Sequence, residues 1–298
     1  MDAGLQLPPE VGVVIAREWG VDCGDGGVRL TGGEDSAAYR VGEVVVRVGP
    51  LQRGSAVMEW CHGVAEAAAC LGEVVVPLRT DSGASVVRVA GRPVSVWPLV
   101  AGRWLELGNP AEVEQAARLL ARVHRELRGV QLPPRPEVSY LEPAAEVHDP
   151  AGLAGSAEFD RWRDVLRDEQ LDRWLGEFWR RAAKQPLHGD YYRGNVLVHD
   201  GRIAGLIDWD ESWVGAPEME LAGAAREFGE HWSTDLRRAQ QFVAWYHDEG
   251  GTAAMDDETM VQLIRHRLRA EVVQFADAAD PDDDYHARQV QLFSELRP

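Results

Sequence analysis

The sequence predicts an α+β protein, with a small antiparallel sheet in roughly its first 100 residues and a larger, mainly helical part after it. Three observations predict this. Apolar and polar residues alternate from Val28 to Val48, with glycine at the turns, the mark of short strands in hairpins. From Asn109 onward, apolar residues recur at helical spacing. And 298 residues in 33.0 kDa are more than one compact core usually takes, so two lobes are expected, 1–100 and 103–298 with a hinge at about 97–102.

Pro9 to Trp19 reads as a helix with proline in its first turn, Val11, Val14 and Ile15 on one side, and Gly20 as its stop. Val28–Thr31, Ala38–Val41 and Val44–Val48 read as three antiparallel strands joined by the Gly32–Ser36 turn and by Gly42-Glu43. The first of these turns, with Gly32, Gly33 and Ser36, lacks the G-x-G-x-x-G pattern. It is either a plain turn or a loop whose backbone N–H groups approach phosphate. Ser55 to Leu71 is a helix with Ser55 as N-cap and Gly72 as stop. Val74–Val76, Ser85–Val89 and Pro93–Val96 complete the small sheet, and Trp97-Pro98-Leu99-Val100-Ala101-Gly102 makes a stiff connector.

Asn109-Pro110-Ala111-Glu112 opens the next helix with an N-cap, a proline at the first helical position and an acid in the first turn. Its apolar stripe runs from Val113 to Leu127, with His124 as a packing residue. Residues 129–155, rich in proline and glycine, form a long loop. Residues 157–183 hold one or two helices whose Trp162, Trp174, Phe178 and Trp179 fit packing. Glu211–Gly215 reads as a loop, Pro217 starts a helix, and helices at about 232–248, 258–277 and 284–296 end the chain.

The chemistry concentrates in residues 187–210. Two apolar runs, Asn195–Val198 and Ile203–Ile207, flank His199-Asp200-Gly201-Arg202, and Asp-Gly between alternating apolar residues predicts a hairpin. Closing it brings Asn195, at the mouth of the first strand, towards Asp208, at the exit of the second. A carboxamide beside a carboxylate offers hard oxygen ligands that suit Mg²⁺ over zinc. Asp190, in the preceding loop, is placed to take a proton from a hydroxyl. Protein kinases space such a phosphoryl-transfer site as H-R-D-x-x-x-x-N followed by D-F-G. Here His188-Gly189-Asp190 precedes Asn195 by five residues, and Ile207-Asp208-Trp209-Asp210 follows.

With those residues the chain resembles the aminoglycoside phosphotransferase family, which is similar to choline kinases and has a bilobal, protein-kinase-like fold. The resemblance implies transfer of the γ-phosphate of ATP or GTP to a hydroxyl. Asp190 would be the proton acceptor, Arg193 would meet the γ-phosphate, and Asn195 and Asp208 would hold Mg²⁺. It places the nucleotide against Gly32, Gly33 and Ser36, and the adenine at the backbone of Trp97 and Leu99. The sequence holds a single lysine, Lys184, so Arg47 takes the third-strand position where kinases carry lysine; an arginine fork suits phosphate. In the family a glutamate of the following helix braces that cation; Glu59 matches its place and Glu66 is the alternative. Two departures stand out: Gly215-Ala216-Pro217 replaces Gly-Asp-Pro, and Glu220 replaces the aspartate that braces the catalytic loop.

The formal charge of −18 argues against a nucleic-acid partner. Most of the acidity lies beyond residue 100, with 37 acids against 23 bases. That is ordinary solubilising charge, or a field favouring a cationic acceptor, for which Asp210, Glu211, Glu271 and Asp277 are candidates along with Asp280. Cys23, Cys61 and Cys70 have neither metal nor disulfide spacing. No secretory leader is visible and no apolar run reaches membrane length, so a cytoplasmic monomer or homodimer is expected, with no membrane partner. The acceptor implied is a small hydroxylated molecule: an antibiotic, or a metabolite such as choline, homoserine or a sugar. A nucleotide-binding module without catalysis is the rival from another class.

Overall fold

Val41, Val46, Val48, Val94 and Val96 close over the buried face of the first helix, because strand alternation puts all of them on one side of the sheet. The structure is a computed structural model that describes residues 6–24, 26–31, 36–143, 162, 164–275 and 284–297. The chain folds into two compact units. One comprises Met1–Trp104, Gln131–Glu137 and Asn195–Ser212; the other comprises Leu105–Val130, Val138–Gly194 and Trp213–Pro298. The hairpin that carries Asn195 and Asp208 therefore groups with the small sheet, whereas the sequence pattern assigns everything after residue 103 to the second part.

In the first unit, α1 (Pro9–Trp19) ends on Gly20 at φ 66°, a left-handed cap that glycine adopts without a Cβ penalty. A five-stranded antiparallel sheet contains β1 (Val28–Arg29), β2 (Ala37–Val41), β3 (Val44–Val48), β4 (Val87–Val89) and β5 (Arg92–Pro98), in the order β1-β2-β3-β5-β4. The helix α2 (Ser55–Ala67) is capped by Gly54, with no side-chain cap, so Ser55 is its first residue and not its N-cap. Val74–Val76 do not join the sheet. Val74 bridges Leu206 in parallel, and the Val75 N–H donates to Leu206 O at 3.1 Å.

Three further strands of this unit form a sheet in the order β6-β8-β9: β6 (Arg103–Trp104), β8 (Val196–His199) and β9 (Arg202–Leu206). Asp200 and Gly201 turn between β8 and β9 at φ 49° and 73°, both left-handed as the two-residue hairpin loop requires. Gly102 enters β6 so close to β8 that a Cβ there would lie 2.9 Å from the Val198 carbonyl oxygen. Gly102→Ala is therefore expected to cost about 1–3 kcal/mol through backbone displacement, seen as a lower melting temperature; an unchanged melt would contradict that packing.

In the second unit, α3 (Pro110–Leu127) is capped by Asn109, which accepts from the Ala111 N–H and donates to Glu112. It is followed by α4 (Glu169–Arg181), α5 (Pro217–Phe228), α6 (Arg237–Asp248), α7 (Asp257–Gln274) and α8 (Tyr285–Glu295). Helix α7 is buried on most of its surface, and its Arg265 and Arg269 are matched by Asp168 and Asp172 at 2.6 and 2.7 Å. Two short strands, β7 (Gln185–Leu187) and β10 (Trp213–Gly215), pair antiparallel. Trp213, expected in a loop, is 2% exposed and stacks on Trp179. Among the described residues no helix is long and apolar enough to cross a membrane.

Candidate active site

The first unit holds Arg47, Asn195 and Asp208. Asn195 ends a short 3-10 turn (Arg193–Asn195) and is buried; its carbonyl accepts from the Ile207 N–H at 3.0 Å. That bond closes the hairpin mouth one residue before Asp208. Asp208 has φ 63°, a left-handed conformation that aspartate tolerates better than most residues and that often marks a functional position.

Arg47 lies on β3, opposite Ala38 and Ser95. Its fork spans two carboxylates: Nη1 to Asp208 Oδ1 at 2.9 Å and Nη2 to Asp210 Oδ2 at 3.0 Å. Burial alone would weaken the charge on Arg47, but Asp208 and Asp210 outweigh it and hold the guanidinium firmly protonated. Trp209, which separates the two acids in sequence, is fully buried. His62 also approaches Asp210, at 3.9 Å, but burial lowers its pKa to about 3, so at neutral pH it is an uncharged ring bonded to Ser85 Oγ. The cation facing Asp210 is Arg47.

Neither candidate glutamate braces Arg47. Glu59 accepts from the Ser85 and Val86 N–H groups and from Ser85 Oγ, each at 2.8 Å. Glu66 is paired with Arg79. Two acids proposed for a cationic acceptor are engaged as well, since Asp210 is 4% exposed on Arg47 and Glu211 meets Arg53 at 2.6 Å. Ser36 is buried at the start of β2; Gly32 and Gly33 lie outside the described residues. Trp97 packs in the core with its ring edge on His62, and the Leu99 N–H donates to Glu43 O at 2.9 Å.

The second unit carries Asp190 and the residues around its turn. His188 is fully buried, and Gly189 takes φ 89° to turn the chain into Asp190. Glu220, from α5, accepts from the N–H groups of Gly189 and His188 and from His124 Nε2 at 2.9 Å. Its extra methylene thus still reaches the loop. His124, expected merely to pack, bonds Tyr246 through its other nitrogen at 2.8 Å. Burial pushes the Glu220 pKa up, but the His124 and Gly189 bonds offset this and leave it below the ordinary carboxylate value. Its stabilisation is therefore complete above that value and is lost as pH falls through the depressed pKa. Glu220→Ala is expected to cost about 3–5 kcal/mol, the usual result of breaking a buried pair. Glu220→Gln should flatten the acid side of the stability profile, as pH-dependent melting would show.

Arg267, which sequence reasoning missed, lies 3.5 Å from Asp190. Glu271, another candidate for the acceptor, is held by Arg267 and Gln289, each at 2.6 Å. Asp277 and Asp280 lie outside the described residues, and Arg193 is exposed. The chain passes from one unit to the other between Gly194 and Asn195, so Asp190 belongs to the second unit and Asn195 and Asp208 to the first.

The donors at the hairpin mouth, a carboxamide and a carboxylate, fit a hard divalent ion. Among the described residues no three His, Cys, Asp or Glu side chains converge as a metal cluster.

Comparison with known proteins shows the family. Residues 26–257 match the phosphotransferase enzyme family, and the chain belongs to that family. Stress response kinase A of Salmonella choleraesuis (strain SC-B67) is 29% identical over 154 residues, half of this chain and 45% of that protein. A homoserine kinase of Pseudomonas aeruginosa (strain LESB58) is 28% identical over 196 residues, 63% of this chain and 59% of that protein. The chain thus spans about half the length of these curated relatives. Among solved structures, an amicoumacin kinase in complex with AMP-PNP and Ca²⁺ superposes with TM-score 0.68 at 14% identity, covering 90% of this chain and 88% of that one. A spectinomycin phosphotransferase in complex with ADP and spectinomycin gives 0.61 at 13% identity, covering 96% and 93%. The fold is the protein-kinase-like fold of these phosphotransferases.

Proposed function

We propose that the chain transfers the γ-phosphate of ATP or GTP to a hydroxyl of a small molecule. The observation that carries this reading is the Arg47 fork on Asp208 and Asp210 at the mouth of the hairpin that begins at Asn195. Asn195 and Asp208 hold the divalent ion, Mg²⁺, whose charge when bound offsets that of the β- and γ-phosphate oxygens. Arg47 supplies a bidentate donor to the nucleotide phosphates. It also neutralises two carboxylates that would otherwise repel each other.

Asp190 orients the acceptor hydroxyl and takes its proton. The acceptor oxygen bonds to the γ-phosphorus as the bond from that phosphorus to the β–γ bridging oxygen breaks, and ADP or GDP leaves. Glu220 and His124 keep the Gly189-Asp190 turn in place, so Asp190 need not be ordered at the moment of reaction.

We read the acceptor as an antibiotic hydroxyl, on the likeness to an amicoumacin kinase, a spectinomycin phosphotransferase and an aminoglycoside phosphotransferase bound to hygromycin B. Similarity to homoserine kinases favours a metabolite acceptor as the second reading. A cationic acceptor gains no support from Asp210, Glu211 or Glu271, each of which already faces an arginine. A panel of hydroxylated antibiotics and metabolites, assayed for release of ADP or GDP, tests the reading. Turnover with an antibiotic supports the first acceptor and turnover with homoserine or a related metabolite the second; Mg-independent nucleotide binding without turnover on any member rejects the enzyme.

A further inference from the structure

Arg267 projects from the middle of α7 onto the Gly189-Asp190 turn. Its Nη1 donates to Gly189 O at 3.0 Å, and its Nη2 lies 3.5 Å from Asp190 Oδ1. Its Nε donates to Glu271 Oε1, one helical turn on, at 2.6 Å, and Glu271 Oε2 accepts from Gln289 of α8 at 2.6 Å. One planar group therefore touches both the backbone and the carboxylate of the turn, while a carboxylate fixes its own orientation. Burial opposes the charge on Arg267, but Glu271, Tyr140 and Asp190 more than offset it and hold the cation firmly.

This contact is placed where the turn is softest. Gly189 stands at φ 89°, a conformation that glycine enters and leaves easily. Glu220 holds the N–H of Gly189, and Arg267 holds its carbonyl. The peptide groups on both sides of the Gly189 Cα are thus clamped, each from a different helix. The Asp190 side chain is 35% exposed, so neighbouring core does not by itself select one rotamer. A guanidinium fixed beside Oδ1 adds a charged contact that favours one.

We infer that Arg267 is a positioning residue for Asp190, holding its carboxylate in the orientation that receives the acceptor proton. The inference rests on the reading of Asp190 as that proton acceptor. A lysine at 267 would keep the charge but lose the fork that bonds Glu271 and Gly189 together.

The test uses the full chain with MgATP, with water as the acceptor, and follows release of ADP. Arg267→Gln alone takes the cation from Glu271 Oε1 and leaves Gln289 and Arg226 on Oε2, so the double variant Arg267→Gln/Glu271→Gln accompanies it to keep the fold. We expect kcat of the double variant to fall roughly a hundredfold, as about 1 Å of misplacement costs, with KM for MgATP and the melting temperature unchanged. Arg267→Lys should recover part of kcat. A merely structural role would instead lower the melting temperature and disturb KM along with the rate. Wild-type kcat in the double variant, beside an inactive Asp190→Ala, overturns the inference and leaves the reading of Asp190 intact. An Asp190→Ala variant as active as wild type removes both.

Discussion

Asp190→Ala is expected to lower phosphoryl transfer about a thousandfold, within the range a positioned general base contributes, while nucleotide affinity stays at the wild-type value. The two effects separate because of where the groups lie. Asp190 sits on the turn clamped by Glu220 and Arg267, whereas the carboxylates that hold Arg47 are Asp208 and Asp210. Removing the Asp190 carboxylate takes away the group proposed to receive the acceptor proton, and leaves the Arg47 fork and the hairpin as they are. The fold should survive, since the Asp190 side chain is 35% exposed and Arg267 retains Glu271. Steady-state turnover beside calorimetric nucleotide binding checks the prediction, and a variant that still turns over at the wild-type rate refutes the role.

Asp208→Asn should act on binding as well as on rate. It removes the charged oxygen proposed as a metal ligand at the hairpin mouth, and we expect affinity for the Mg-nucleotide to fall at least about tenfold, the scale on which disturbed metal sites respond. Asparagine is the better substitution here because Asp208 stands at φ 63°, which asparagine adopts readily and alanine does not. Arg47 keeps Asp210 at 3.0 Å, so the variant leaves no buried cation without a counter-charge. Loss of affinity without loss of fold is therefore the expected pattern, measured by nucleotide titration and thermal melting on the same preparation.

Local patterns carried much of this architecture in the sequence. The Asp200-Gly201 turn, the Pro9–Trp19 helix with its glycine stop and the Asn109 cap each depend on neighbours a few residues away, and all form as their residues dictate. The spacing of Asn195 and Asp208 about a hairpin was legible for the same reason. What escaped depends on partners distant in the chain. Val74–Val76 has the composition of a sheet strand, yet its bond goes to Leu206, some 130 residues on. The pairs β6 with β8 and β7 with β10 involve segments of two or three residues in one partner, too short to show a period. Charge pairing is just as non-local. Arg47 turns to Asp208 and Asp210 where the nearby helix offered Glu59 and Glu66, and those glutamates serve Ser85, Val86 and Arg79. Arg267 reaches back 78 residues to Gly189, and nothing in the spacing of α7 announces that contact.

The most direct measurement is a calorimetric titration of the chain with ATP, with and without Mg²⁺, run in parallel on Asp208→Asn. If Asn195 and Asp208 hold the ion that carries the nucleotide, Mg²⁺ should tighten ATP binding strongly in the wild type, and most of that gain should vanish in the variant. An Mg²⁺ effect of equal size in both proteins, or none in the wild type, would contradict the assignment of the site.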